Sequence, residues 1–157
     1  MIDTNEILYR IKKALNLTTK DIIEAYNLEE YDMDVVHLKQ VLKRRKDSDM
    51  VICSYEELGV FLDGLVSLKR GKSPKRDDGV VELTNNLILK KLRVALELKE
   101  PEIEIIFALV DITLTKQQLS ALFRKEDNKN FKACSDELLI SFLEGLDEFY
   151  FVGELEE

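Results

Sequence analysis

The chain has 157 residues, 45% of them hydrophobic and 34% charged, and a formal net charge of −8 at pH 7. This length suits one domain or two small domains that pack together, and the apolar content excludes a chain too polar to form a core. The net acidity disfavours general binding to phosphate backbones, although a local basic surface can persist. Residues 1–78 carry 14 Lys/Arg and 15 Asp/Glu, a net charge of −1, whereas residues 79–157 carry 9 and 16, a net charge of −7. We therefore expect an anionic partner to prefer the first half.

The first two helices are predicted from apolar residues that recur at helical spacing. Thr4 or Asn5 is expected to cap the first helix, because either side chain can accept from free backbone N–H groups. Residues 18–21, with sequence Thr-Thr-Lys-Asp, are a second helix start. The apolar side of these helices comprises Ile7, Leu8, Ile11, Ala14, Leu15, Ile22, Ile23, Ala25 and Tyr26.

The third and fourth helices follow a polar turn. Asp32 or Asp34 is expected to cap the third helix. Ser54 and Glu57 have the spacing of a capping box at the start of the fourth, and Gly71 suits its end. The inward residues predicted for the fourth helix are Leu58, Phe61, Leu62, Leu65 and Leu68.

The sequence pattern at the start of the fourth helix recurs 81 residues later. Residues 53–65 and 134–146 share Cys, Ser, Glu, Leu, Phe-Leu and Gly-Leu at the same places without a gap. Self-similarity at a fixed offset is the signature of a repeated structural unit. The sequence therefore predicts a tandem duplication.

The second copy begins near residues 84–86 and repeats the apolar pattern of the first. Pro101 is expected at the first position of its second helix, where a proline is tolerated. Thr115 and Gln118 form a predicted capping box for its third helix, and Ser135 is expected to cap its fourth. The apolar residues of its first helix are Ile88, Leu89, Leu92, Ala95 and Leu96.

The predicted fold is all-α, with two tandem homologous four-helix units that pack with approximate two-fold pseudo-symmetry. We place the first repeat at residues 1–71, a charged linker at 72–83 and the second repeat at 84–157. A unit of roughly 65 residues has only a marginal core, so the two copies should bury apolar surface against each other. The aromatic residues 149–151 are expected to help cover that core.

The second copy carries a pattern that resembles the YehS-like family. The pattern comprises Asn-Asn-Leu-Ile-Leu-Lys-Lys-Leu-Arg-Val-Ala-Leu at 85–96, Arg-Lys-Glu-Asp at 124–127, Phe131, Cys-Ser-Asp at 134–136 and Phe-Leu-Glu-Gly-Leu at 142–146. The resemblance spans almost the whole chain. It implies a small bacterial cytoplasmic protein built from two copies of a domain of unknown function, 1456, and it implies no established activity.

The first copy departs from this pattern. Arg45-Lys46 replaces the Glu-Asp step, Met50 replaces the phenylalanine, and Tyr55 replaces the aspartate after Cys-Ser. If the family's acidic pair had a chemical role, only the second copy would retain it.

Two features favour contact with a nucleic acid. Residues 107–119 resemble a helix-turn-helix, in which polar residues such as Lys116 and Gln117 would reach base edges, although any helical hairpin has this pattern. A basic cluster, Lys43, Arg44, Arg45 and Lys46, could contact phosphates, or could simply be cations favoured at a helix C-terminus. These six residues are the candidate partner contacts.

Other reactive residues have structural interpretations. His37 is the only histidine, and we expect it at the surface because no further His or Cys lies at ligand spacing. Cys53 and Cys134 are expected to be buried, reduced core residues rather than a disulfide or nucleophiles. The acidic pairs 126–127 and 136–137 could bind a divalent ion, but helix boundaries explain them more simply. No catalytic, metal or cofactor residue is predicted.

The sequence thus predicts a non-enzymatic helical module that binds a macromolecule, a protein more readily than a nucleic acid, at the cleft or shared face of the copies. A nucleic-acid-binding regulator using its hairpins is the first alternative, and an enzyme with a dispersed site is the second. A cytoplasmic location is expected, because no signal peptide and no bilayer-spanning apolar run is visible. Self-association into a weak homodimer is also compatible with the sequence.

Overall fold

The computed structural model describes residues 3–43, 50–71 and 82–151. Within these residues the chain forms eight α-helices, four in each repeat, and no strand. The helices are α1 (Thr4–Ala14), α2 (Thr19–Leu28), α3 (Val35–Val41), α4 (Tyr55–Arg70), α5 (Asn85–Leu96), α6 (Glu100–Ala108), α7 (Lys116–Leu122) and α8 (Asp136–Phe149). The predicted all-α fold of two four-helix units is confirmed.

Most helices begin at the side chains that the sequence predicts. Capping boxes join Thr18 to Asp21 before α2, Ser54 to Glu57 before α4 and Thr115 to Gln118 before α7. Ser135, Thr84 and Asp34 also accept backbone N–H groups at their helix starts. Such caps depend on residues a few positions apart, so a local pattern is enough to identify them.

The first helix corrects one prediction. Its cap is Asp3, whose carboxylate accepts from the Asn5 backbone N–H at 3.0 Å. Thr4 and Asn5 are instead buried within the first turn, where their side chains donate to the end of α3 and to the segment before α4. Pro101 is likewise the second residue of α6 rather than the first.

The two repeats pack through two equivalent interfaces, each formed by one helix from either repeat. α1 of the first repeat lies against α8 of the second, and α4 of the first lies against α5 of the second. Because α1 corresponds to α5 and α4 to α8, these contacts are the same contact made twice. Within each repeat, α2 packs on α4 and α6 packs on α8. The molecule therefore has the predicted pseudo-two-fold arrangement.

Ion pairs at the two interfaces follow the same symmetry. Arg10 on α1 lies 3.7 Å from Glu144 on α8, and the equivalent residues Lys91 and Asp63 form a close ion pair between α5 and α4. Two further ion pairs have no counterpart at the other interface. Arg70 lies 3.8 Å from Glu97 beside the α4–α5 contact. Lys13 pairs with Asp147 at 3.4 Å, whereas the equivalent positions in the other interface are both valine.

One apolar core extends through both repeats. Tyr26 and Phe61 pack with ring centroids 6.1 Å apart, and their equivalents Phe107 and Phe142 pack at 5.4 Å. The cluster contains nearly all the predicted inward residues, among them Ile7, Leu8, Ile11, Leu58, Phe61, Leu62, Leu65, Ile88, Leu89 and Leu92.

The aromatic end of α8 covers the core only in part. Phe149 is half-buried against the cluster, whereas Phe151 is 64% exposed. At the other boundary α4 ends at Arg70, and Gly71 follows with φ 85° as the predicted stop. Most of the predicted linker, residues 72–81, lies outside the described residues, so the domain boundaries stay predictions.

Candidate anion-binding surface

Helix α7 and the segment after it form an open, polar surface on the second repeat. Leu119 and Leu122 face the core, whereas Lys116, Gln117 and Gln118 are exposed. Helical spacing explains this division, since residues three apart lie on one face. The exposed face of α7 is therefore free to contact a ligand.

Asn86 attaches the segment after α7 to that helix. Its amide nitrogen donates to the carbonyl groups of Leu122 and Lys132, each at 2.9 Å, and its oxygen accepts from the Cys134 N–H at 2.9 Å. The Lys132 N–H also donates to the carbonyl of Ala121 at 3.0 Å. These bonds hold the backbone of Lys132 beside the C-terminal half of α7.

The result is a groove of about 560 Å³ between α7 and the segment at residues 130–132. Its charged side chains are all cations, namely Lys116, Arg124 and Lys132. Its polar neutral side chains are Gln117, Gln118, Ser120 and Asn130. Cations and neutral donors without a carboxylate suit an anionic ligand.

None of these three cations has an ion-pair partner among the residues that the structure describes. Residues 116–132 hold five Lys/Arg and two Asp/Glu, a net charge of +3 within the acidic half. A local positive potential therefore survives the overall charge, since the Debye length is about 8 Å at physiological salt.

A smaller crevice of about 170 Å³ adjoins this groove and shares Arg124 with it. Its walls include the rings of Phe123 and Phe131, together with Glu82 and Glu126. The guanidinium of Arg93 lies 4.7 Å from the centre of the Phe123 ring. The cations Lys90, Arg124 and Lys125 also line the crevice, which thus differs from the groove in its aromatic rings and its carboxylates.

The equivalent surface of the first repeat has a different character. Val35 and Val36, 43% and 63% exposed, replace Lys116 and Gln117 at the start of α3. Lys43, which corresponds to Arg124, is exposed. Arg44, Arg45 and Lys46 lie outside the described residues, so the predicted basic cluster is described only at its first member.

Of the six predicted contacts, the structure thus places Lys116 and Gln117 together in one groove. Sequence reasoning missed Arg124, Asn130 and Lys132, because the Asn86 bonds that hold Lys132 beside α7 join segments distant in sequence. The sequence did contain a signal of a basic surface here: residues 35–51 and 116–132 occupy equivalent positions, and each segment carries a net charge of +3.

His37 is not the surface residue that was predicted. Its side chain is 33% exposed, and Nε2 lies 2.6 Å from the Glu57 carboxylate, which is 11% exposed. Glu57 also caps Ser54, and its backbone carbonyl accepts from the Tyr26 hydroxyl at 2.9 Å. The second repeat has Gln118, Leu138 and Phe107 at these positions, so this polar contact belongs to the first repeat alone.

The cysteines agree with their predicted role. Cys53 and Cys134 are buried and free, and burial raises the pKa of each thiol to about 12. The thiols are therefore protonated at neutral pH and poorly suited to nucleophilic attack.

The acidic pairs do not assemble a metal site. Glu126 and Asp127 are exposed, and Asp136 accepts from the Asn85 amide at 2.8 Å. Throughout residues 3–43, 50–71 and 82–151, no group of three or more His, Cys, Asp or Glu side chains is placed to hold a metal ion. None of the eight helices has the length and hydropathy needed to cross a bilayer.

Comparisons with known proteins place the chain in a family. The family described as "Protein of unknown function (DUF1456)" matches residues 4–71 and again 85–150. The chain is 30% identical to "Uncharacterized protein YehS" of Escherichia coli (strain K12) over 145 residues, which cover 91% of this chain and 93% of that protein. No solved structure matches. The chain belongs to the DUF1456 family and carries two copies of its domain.

Proposed function

We propose that this protein is a non-enzymatic binding module with a regulatory role, and that its partner is a nucleic acid whose phosphates lie in the α7 groove. The observation that carries this proposal is the groove's composition: three cations, four neutral polar side chains and no carboxylate. Arg and Lys are the main phosphate contacts of nucleic-acid-binding proteins, and Ser, Asn and Gln side chains add hydrogen bonds. A cytoplasmic location, where nucleic acid is available, is part of the proposal.

The shared face of the two repeats is less suitable as a binding site. The packing of α1 on α8 and of α4 on α5 fills it, with Arg10 and Lys91 already paired to carboxylates. The α7 groove, in contrast, is open and its cations are unpaired among the described residues. This difference favours the groove over the cleft that the sequence suggested.

The expected affinity is modest and depends strongly on salt. For single strands the logarithm of the binding constant falls by about 0.7 per phosphate contact per unit log salt, so three contacts predict a slope of about −2. The net charge of −8 opposes the approach of a polyanion, and salt screens that long-range repulsion as well. Binding should therefore be measured at several salt concentrations.

The test compares two variants with equal charge change. One replaces Lys116, Arg124 and Lys132 in the groove with Gln, and the control replaces the exposed Lys20, Lys69 and Lys99 on other surfaces with Gln. Fluorescence anisotropy with a labelled 20-nucleotide oligonucleotide measures the affinity. We expect the groove variant to bind at least about tenfold more weakly and to lose most of the salt slope, and the control to change much less.

Two results would overturn the proposal. The first is that the wild-type protein binds no oligonucleotide even at low salt. The second is that both variants lose affinity equally, because the effect would then come from net charge rather than from the groove. Groove-dependent binding of polyglutamate without binding of oligonucleotides would instead assign the groove to an acidic protein partner.

A further inference from the structure

We infer that the bound nucleic acid is single-stranded and that one unstacked base lies in the crevice beside Phe131. This inference rests on the proposed function, because it needs phosphates in the adjoining groove. It specifies what that proposal leaves open, namely the form of the nucleic acid and the part of it that the protein reads.

The crevice lies where a strand bound in the groove would pass it. Groove and crevice share Arg124, so a strand whose phosphates follow the groove passes the mouth of the crevice. A base is joined to its phosphate through a single sugar, and it can turn into an adjacent crevice only if it is not paired. The arrangement therefore suits a flexible strand better than a duplex.

The crevice walls have the aromatic chemistry that a base requires. Phe131 and Phe123 offer aromatic surface, and bases stack on such rings without regard to sequence. The Arg93 guanidinium lies over the Phe123 ring, which leaves Phe131 as the side chain better placed to receive a base. At the position equivalent to Phe131 the first repeat has Met50, whose sulfur accepts from the Asn5 amide, so the stacking surface is specific to the second repeat.

The crevice also offers hydrogen-bond acceptors that the groove lacks. Glu82 and Glu126 line the crevice beside the cations Lys90, Arg124 and Lys125, whereas no carboxylate lines the groove. Carboxylates repel a phosphate but accept hydrogen bonds from the exocyclic amino groups of bases. Asn86 also lines the crevice, but its amide is fully engaged with backbone groups. The crevice thus has carboxylate acceptors for the amino groups of a base, while the charged side chains of the groove are all cations.

A duplex would need to open to reach the same state. Extruding a base from a stacked pair costs a few kcal/mol, which single-stranded nucleic acid does not have to supply. The proposed mode also differs from a helix-turn-helix, in which α7 would enter the major groove of intact DNA. Comparing the single-stranded and duplex forms of one oligonucleotide distinguishes binding of an unpaired base from major-groove binding.

The experiment measures anisotropy with three labelled oligonucleotides of one length: a single strand, its duplex and a single strand with abasic sites throughout. The full-length wild-type protein is compared with Phe131→Leu, Phe131→Tyr and, as a control, Phe151→Leu at an exposed phenylalanine elsewhere. Circular dichroism verifies that each variant is folded. The salt dependence of the affinity is recorded for every combination of protein variant and oligonucleotide.

We expect the single strand to bind about tenfold more tightly than the duplex and the abasic strand, because stacking of one base is lost in both. Phe131→Leu should bind the single strand about tenfold more weakly than the wild type, with an unchanged salt slope. Phe131→Tyr should retain the wild-type affinity, and so should Phe151→Leu. Equal binding of the three oligonucleotides, or an unchanged affinity in Phe131→Leu, would overturn the inference while the groove remained a phosphate site. Absence of binding to all three would instead remove the proposed function itself.

Discussion

Asn5 and Asn86 occupy equivalent positions in the two repeats and perform the same structural task. The Asn5 amide donates to the carbonyls of Val41 and Val51 and accepts from the Cys53 N–H, each at 2.8 Å. The three corresponding bonds of Asn86 have the same pattern. One side chain therefore connects the end of the third helix to the segment that leads into the fourth.

Replacing Asn5 with Ala should lower the free energy of unfolding by about 3 kcal/mol, because it leaves buried backbone groups without partners at about 1–3 kcal/mol each. Replacing Asn86 should have a smaller effect, about 1–2 kcal/mol, since water can reach its partly exposed bonds. Urea denaturation provides the measurement, and Asn27→Ala on the exposed side of α2 is the matched control. Equal stability of Asn5→Ala and Asn27→Ala would contradict this assignment.

The same residues show where local reasoning fails. The sequence marks Thr4 and Asn5 as helix caps, because Thr and Asn at a helix start normally accept from its free N–H groups. Here the carbonyls of Val41, Val51 and Cys53 accept from the two side chains, and Asp3 caps the helix instead. The recurrence of Asn at 5 and 86 was visible, but a long-range role cannot be distinguished from a local one without the fold.

At the scale of elements, two glycines allow the helices within each repeat to approach closely. A Cβ at Gly64 would clash with the backbone carbonyl of Ala25, and a Cβ at the equivalent Gly145 would clash with that of Ile106. α4 therefore packs against the backbone of α2, and α8 against that of α6, with no room for a side chain between them.

Gly64→Ala and Gly145→Ala should each lower the free energy of unfolding by about 2 kcal/mol or more, because a backbone must move to accommodate the methyl group. Gly59→Ala on the same α4 helix is the control. It has open space around it and should raise stability by about 0.5–1 kcal/mol through the loss of glycine flexibility. Thermal or urea denaturation of the three variants would refute the idea if all of them behaved like Gly59→Ala.

The elements themselves were largely predictable. Capping boxes at residues 54–57 and 115–118 and apolar stripes at helical spacing depend only on neighbours in sequence. The contact of His37 with Glu57 was not predictable, because its two residues lie 20 positions apart on different helices. Neither was the α7 groove, which combines a helix face with a loop that Asn86 holds in place.

At the scale of the molecule, the α1–α8 and α4–α5 contacts make the two repeats depend on each other for stability. α1 packs mainly on α8 of the other repeat, and α4 packs on α5 of the other repeat as well as on α2 of its own. A repeat of about 65–70 residues already has a marginal core, so the loss of this interface should prevent stable folding.

We therefore expect residues 1–71 and residues 82–157, produced separately, to show weak or concentration-dependent helicity. An equimolar mixture should recover a cooperative unfolding transition, because the α1–α8 and α4–α5 contacts form again. Circular dichroism and analytical ultracentrifugation of each half and of the mixture provide the test. A cooperative, monomeric fold of either half alone at the stability of the full chain would contradict it.

The repetition, the helix content and most helix starts were predictable, since all of these follow from periodicity and from residues a few positions apart. A shared core was predictable too, because each copy is too small to bury its apolar surface alone. Three features emerged only from the folded chain: which helices contact each other across the repeats, the burial of Asn5 and Glu57, and the single groove lined by Lys116, Arg124 and Lys132. Those features arise from contacts between segments distant in sequence. The negative net charge of the second half concealed the groove, because a net charge does not show where the individual cations lie.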